Sequence, residues 1–179
     1  MNRTQLEHIL RAAAGITGET EFVVIGSQAV LGQFESPPSE LTDSMEAGVC
    51  SSRTSVAADL IDGSIGEGSP FHRTFGYHAH GVGLEAATLP DGWRARLVPL
   101  RSERTAGATG WCLWVHDLAI SKLVAGREKV VAYLGAMLRH GLVDAGTLRA
   151  RLADTPLADA LRSAAAARLD RIIGTLRPA

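Results

Sequence analysis

Lysine is nearly absent from this chain: of its 18 basic residues only Lys122 and Lys129 are lysine. Net positive charge is missing too. A formal charge of −1 excludes a globally basic nucleic-acid binder and leaves room only for a local basic patch. Cysteine is sparse. Cys50 and Cys112 lie far apart with no CxxC pair, which excludes a zinc ribbon or a disulfide framework and leaves two reduced thiols. No apolar run approaches the roughly 20 residues of a membrane span, and Met1 to Gln5 has no secretory signature. A soluble, cytoplasmic protein without a membrane partner is expected. What is present suits a packed core: 46% hydrophobic and 21% charged residues argue against disorder. A length of 179 residues fits one domain, or a compact domain with a helical extension.

Hydrophobic spacing divides the chain. Leu6, Ile9, Leu10 and Ala13 share one face of a helix from Thr4 to Ala14. Glu21 to Ile25 is rich in Val and Ile and predicts a strand buried on both faces. Gly26 turns the chain into a short helix through Leu31, and the prolines of Glu35 to Ser39 predict a loop. A second strand is expected from Ser44 to Cys50, then a helix capped by Thr54 or Ser55 and running to Ile61. Gly63 to Gly68 reads as a mobile, glycine-rich stretch. Tyr77 to Gly81, Trp93 to Leu100 and Gly110 to Val115 read as further strands, with a turn at Pro90-Asp91-Gly92. Beyond His116 the pattern is helical: Asp117 to Val124, Glu128 to Arg139, Thr147 to Leu152 and Leu157 to Leu176. The expected organisation is a mixed α/β region over 1–115 and a helical region over 116–179.

Three constellations carry chemical options. Gly26-Ser27 at the head of a helix offers backbone N–H groups and a hydroxyl to an anion, and it is equally an ordinary strand-to-helix turn with a Ser cap. In a strand, residues 44, 46 and 48 point the same way, so paired acids at 46 and 48 would share a divalent ion. Only Glu46 is acidic; Gly48 offers no ligand, and Asp43 has the opposite parity. Leu118, Ser121, Lys122 and Ala125 share a helical face, which makes Lys122 either a phosphate clamp or a snorkelling surface lysine. Arg127 lies past the Gly126 break and offers a second cation. Tyr77-His78-Ala79-His80 puts two imidazoles on one strand face with no third ligand evident, and His72 and His116 have no assigned role.

Four blocks, FVVIGSQAVLGQF (22–34), Ser44 to Val49, ADLIDGSIGEGSPFHRTF (58–75) and GWCLWVHDLAISKLVAGREK (110–129), carry a further signal. With them the chain resembles stand-alone nucleotidyltransferase-like proteins related to the AbiE- and MenT-type toxins of bacterial toxin–antitoxin systems. The resemblance implies an α/β (α+β) fold, a polymerase-β-like palm with a helical C-terminal part and the triphosphate between them. It assigns Gly26 and Ser27 to the Gly-Ser motif, Glu46 to the first of two metal acids, and Lys122 and Arg127 to the basic helix motif. It also exposes two departures: the second acid falls at Gly48, and the acid that follows Arg-Glu-Lys falls at Val130.

Two functions follow from that resemblance. The first is a nucleotidyltransferase, with a toxin's role, that moves a nucleotide from an NTP to RNA, tRNA included, or to a protein. Gly26, Ser27, Lys122 and Arg127 would bind the nucleotide, Glu46 and Lys122 would be catalytic, and Glu46 would hold Mg²⁺ in a weakened site. The second is a catalytically impaired relative that binds nucleotide, RNA or a partner protein without turnover. An antitoxin protein is the partner that the resemblance implies. Gly48 and Val130 favour the second function; the retained Gly-Ser turn and Lys122 favour the first.

Overall fold

The computed structural model describes residues 1–51, 55–127 and 129–176. Helix α1 (Arg3–Thr17) starts from a capping box in which the Asn2 side chain and the Gln5 side chain each satisfy the other's backbone N–H. Its apolar stripe, Leu6, Ile9, Leu10 and Ala13, is fully buried. Each of the larger side chains contributes about 1.5–3 kcal/mol by leaving water. Gly18 ends the helix in the left-handed conformation.

Five strands form one mixed sheet: β1 (Glu21–Ile25), β2 (Glu46–Ser51), β3 (His78–Gly81), β4 (Val98–Leu100) and β5 (Thr109–Cys112), in the order β3-β2-β1-β5-β4. β1 is central, antiparallel to β2 and parallel to β5, which explains its run of buried Phe22, Val23, Val24 and Ile25. β2 pairs parallel with β3, placing Glu46 opposite His78 and Gly48 opposite His80. The remaining helices are α2 (Ser55–Ile65), α3 (Pro70–Phe75), α4 (Val115–Ala125), α5 (Lys129–Arg139), α6 (Ala145–Ala153) and α7 (Asp159–Leu176). The buried apolar side chains form one cluster that takes in the sheet, α1 and the C-terminal helices through Ile172.

Several expectations shift. Trp93–Arg96 is a 3-10 helix, so only Val98–Leu100 is a strand there. The reason is tertiary: the Arg96 guanidinium turns inward and grips the Asp117 carboxylate at 2.8 and 3.0 Å. Gly63 to Gly68 is not a loose stretch. α2 continues to Ile65, which is buried, and Ser69 then caps α3 by accepting from the His72 N–H, with Pro70 in the first turn. The strand expected from Ser44 begins at Glu46, because the Ser44 hydroxyl accepts the Glu46 N–H and holds a turn before it. The last strand stops at Cys112; Val115 already belongs to α4. The short helix after Gly26 is 3-10, Ser27–Gly32. The expected cap at Thr54 and helix start at Glu128 lie outside the described residues.

Candidate active site

β1 leaves the sheet through a turn that its glycine permits. Gly26 has φ +79° and ψ −171°, a conformation costly for any residue with a Cβ. The turn presents Ser27 at the mouth of a cleft, while the next residue, Gln28, is buried and donates from Nε2 to the Ser44 carbonyl at 3.0 Å. One side chain thus ties the β1 turn to the segment that leads into β2.

Helix α4 delivers the amine. Val115, Leu118, Ala119, Ile120 and Leu123 are buried, which fixes the helix and sends Lys122 towards the turn. Lys122 Nζ donates to Ser27 Oγ at 2.9 Å and lies 4.6 Å from the centre of the Tyr133 ring. The Tyr133 hydroxyl donates to the Ser27 carbonyl at 2.8 Å. Ser27 is therefore held at its side-chain oxygen by α4 and at its main-chain oxygen by α5. Burial, with the Arg127 charge second, lowers the Lys122 pKa to about 8 against the opposing pull of the Glu46 carboxylate. Burial pushes the Tyr133 phenol up, so it stays a hydrogen-bond donor.

These groups border a cleft of about 540 Å³. Glu40, Asp43 and Glu46 supply acids from the β2 side, and Lys122, Arg127 and Lys129 supply cations from the helical side. Both lysines of the chain thus line one cavity. Ser27, Glu46, Lys122 and Arg127, singled out in the sequence, come together here; Gly26 shapes the turn. Glu40 is held at the rim by Arg139 at 2.9 Å and His140 at 2.8 Å.

Glu46 also faces a second cavity, of about 280 Å³, shared with Asp62, Glu67, His78 and His80. The parallel β2–β3 register brings its carboxylate 3.8 Å from His78 Nε2 and 3.5 Å from His80 Nδ1. The two imidazoles thus have an acidic neighbour that sequence spacing did not reveal. No group of three His, Cys, Asp or Glu side chains converges tightly enough to hold a metal ion by itself among the described residues. His72 stacks near His78, with ring centres 4.5 Å apart, and buried His116 contacts Asp144 at 3.3 Å, away from the cleft.

The two positions that lack an acid have physical reasons to lack one. A Cβ at Gly48 would stand 2.9 Å from the Ile25 carbonyl oxygen and 3.2 Å from the Ile25 side chain, closer than side chains pack. Val130 lines the cleft but is itself buried, with 4% of its surface exposed. A carboxylate there would pay a desolvation cost. Sequence reasoning missed Tyr133, Lys129 and the rim acid Glu40, and it set Asp43 aside on strand parity, which does not apply before β2 begins at Glu46. Lysine scarcity was the one available pointer to Lys129. Tyr133 gave no signal, because it binds a main-chain carbonyl 106 positions away.

With this geometry in place, the comparison with known families is informative. A family model described as a nucleotidyltransferase of unknown function (DUF6036) matches residues 4–172. No curated protein and no solved structure matches the chain.

Proposed function

The chain belongs to the family of nucleotidyltransferases of unknown function (DUF6036), and from that premise we propose that it transfers a nucleotide from an NTP to an RNA end, tRNA included, or to a protein acceptor, using the cleft between β2 and α4–α5. The supporting observation is the contact of Lys122 Nζ with Ser27 Oγ, in a cavity shared with Glu46 and Arg127. In this reading the β1–β2 side acts as a polymerase-β-like palm and the C-terminal helices close over the phosphates.

Each side chain has a task. The Lys122 ammonium and Arg127 guanidinium bind the triphosphate, Lys as a point charge and Arg as a fork. The Ser27 hydroxyl, fixed by Lys122, hydrogen-bonds a phosphate oxygen. The acceptor hydroxyl attacks the α-phosphorus in line and pyrophosphate leaves, with positioning and charge neutralisation supplying most of the rate. Mg²⁺ takes oxygen ligands and needs only one or two carboxylates when substrate phosphates complete its shell, so Glu46 alone fits that part. When bound, the ion supplies neutralisation of phosphate charge. Transfer to tRNA would suit a toxin held in check by an antitoxin protein.

The test is incubation with each α-labelled NTP, Mg²⁺ or Mn²⁺, and total tRNA. Label should move to RNA, and Lys122→Ala should reduce transfer by about 10²–10³, the effect of removing one transition-state donor. A second reading rests on Gly48 and Val130: without a second acid the cleft binds nucleotide but does not turn it over. That reading expects NTP to raise the melting temperature of the protein while no label moves.

A further inference from the structure

We infer that Ser27 is itself a nucleotidyl acceptor: its hydroxyl attacks the α-phosphorus of a bound NTP, Lys122 takes the proton, and the chain becomes self-nucleotidylated in its own cleft. This rests on the nucleotidyltransferase reading, because it needs the NTP bound there.

The argument starts from local geometry. Ser27 opens the 3-10 helix directly after the Gly26 turn, and its half-buried side chain lines the cleft. Among the described residues its Oγ has one hydrogen-bond partner, Lys122 Nζ at 2.9 Å. A serine hydroxyl is a weak nucleophile until a base within hydrogen-bond reach accepts its proton, and a lysine amine is one of the groups that serve. Lys122 is suited to that task by its surroundings. It faces the Tyr133 ring, and Tyr133 stays protonated because burial pushes its phenol up. Burial first, and the Arg127 charge after it, bring Lys122 down to about 8 in the free chain, while Glu46 opposes them. Bound phosphates raise that value, so the share of neutral amine that the step requires grows as pH rises above 8. The main chain of Ser27 is meanwhile pinned by the Tyr133 hydroxyl, so the nucleophile is held in place.

The balance is simple. A bond forms between Ser27 Oγ and the α-phosphorus, the bond from that phosphorus to the β-phosphate bridging oxygen breaks, and pyrophosphate leaves. The Ser27 proton ends on Lys122 Nζ. No electrons are gained or lost, and the NTP is the sole co-reactant. The product is a phosphodiester-linked serine that fills the cleft and blocks a second NTP. A growing stock of modified molecules would shut off transfer to external acceptors.

The experiment uses the full chain with α-labelled and, separately, γ-labelled ATP, CTP, GTP or UTP, with Mg²⁺ and no RNA. Label from the α-position, and none from the γ-position, should join the protein. The intact mass should rise by one nucleoside monophosphate, and peptide mapping should place it at Ser27. Ser27→Ala should remove the label, and Ser27→Thr should keep it on the new hydroxyl. Lys122→Arg cannot accept the proton, so labelling should fall about a hundredfold and lose the rise with pH of the wild-type chain. Label that survives Ser27→Ala, or that is lost in mild acid as a phosphorus–nitrogen bond on Lys122 would be, overturns the inference. So does a wild-type chain that labels tRNA without labelling itself, a result that leaves the nucleotidyltransferase reading standing, and so does one that NTP stabilises while no label moves, a result that favours the reading without turnover. A chain that no NTP stabilises and that labels nothing overturns both.

Discussion

Nucleotide affinity should fall as Lys122 loses its proton. The free amine titrates at about 8, so roughly 90% of molecules carry the ammonium at pH 7 and roughly 10% at pH 9. Bound phosphates favour the charged form, so the pKa in the complex is higher than in the free chain. The sign follows from that difference. Affinity is constant below about pH 8 and declines above it, by about tenfold between pH 7 and pH 9, or about 1.4 kcal/mol, until the pKa of the complex is reached. The other groups facing Lys122 do not imitate this change. Arg127 keeps its charge throughout, Tyr133 titrates higher because burial pushes it up, and phosphate groups complete their ionisation near pH 6. The assay is a dissociation constant for each NTP with Mg²⁺ at half-unit steps from pH 7 to 9.5. Lys122→Arg should flatten the profile, since its charge does not titrate. Lys122→Met should bind weakly at every pH. A wild-type constant that stays level from pH 7 to 9.5 would refute the assignment of Lys122 as the phosphate-binding cation.

Three further outcomes follow from named contacts. Gly48→Asp should not restore a metal site; the Cβ would meet the Ile25 carbonyl at 2.9 Å, and the variant should lose about 1–3 kcal/mol in denaturant unfolding with no gain in transfer. Asp117→Ala should cost about 3–5 kcal/mol, because Asp117 is fully buried and its loss leaves Arg96 unpaired; double replacement with Arg96→Met should recover part of that in the same unfolding assay. Tyr133→Phe removes the hydrogen bond to the Ser27 carbonyl, should cost about 1 kcal/mol of stability, and should slow transfer more than it weakens NTP binding.

Much of the scaffold could be read from pattern. The stripe Leu6, Ile9, Leu10, Ala13 and the run Phe22 to Ile25 identify α1 and the central strand, because burial of one face or of both imposes those spacings. The helices after His116 are legible for the same reason. What escaped depends on partners distant in sequence. Trp93 to Arg96 has strand-like composition, but the Arg96 bond to Asp117 decides its shape. The glycines of 63–68 suggested looseness, yet Gly63 continues α2 and buried Ile65 anchors its end. In the site, the early turn, the acid and the amine were each visible as residue types with open alternatives. Their common cleft was implied by the resemblance and not by spacing, since no periodicity encodes the pairing of residue 27 with residue 122. The proximity of Glu46 to His78 and His80 needed the β2–β3 register.

Gly48, where the resemblance expects an acid, acquires a physical meaning once that register is known. Position 48 sits against Ile25 on the strand that carries the Gly26-Ser27 turn. A side chain there would press on the strand just before the Gly26-Ser27 turn. The cleft holds Glu46 as its acid on β2, and its cations stand on the helical side, both lysines among them. Under the proposed function, dependence on the divalent ion should therefore be shallower than dependence on Lys122: raising Mg²⁺ compensates Glu46→Gln by mass action, whereas no concentration of the ion replaces an amine that touches Ser27. Transfer measured across a Mg²⁺ titration in Glu46→Gln and in Lys122→Ala separates the two. Recovery of the Lys122 variant at high Mg²⁺, with none for the Glu46 variant, would reverse this assignment of roles.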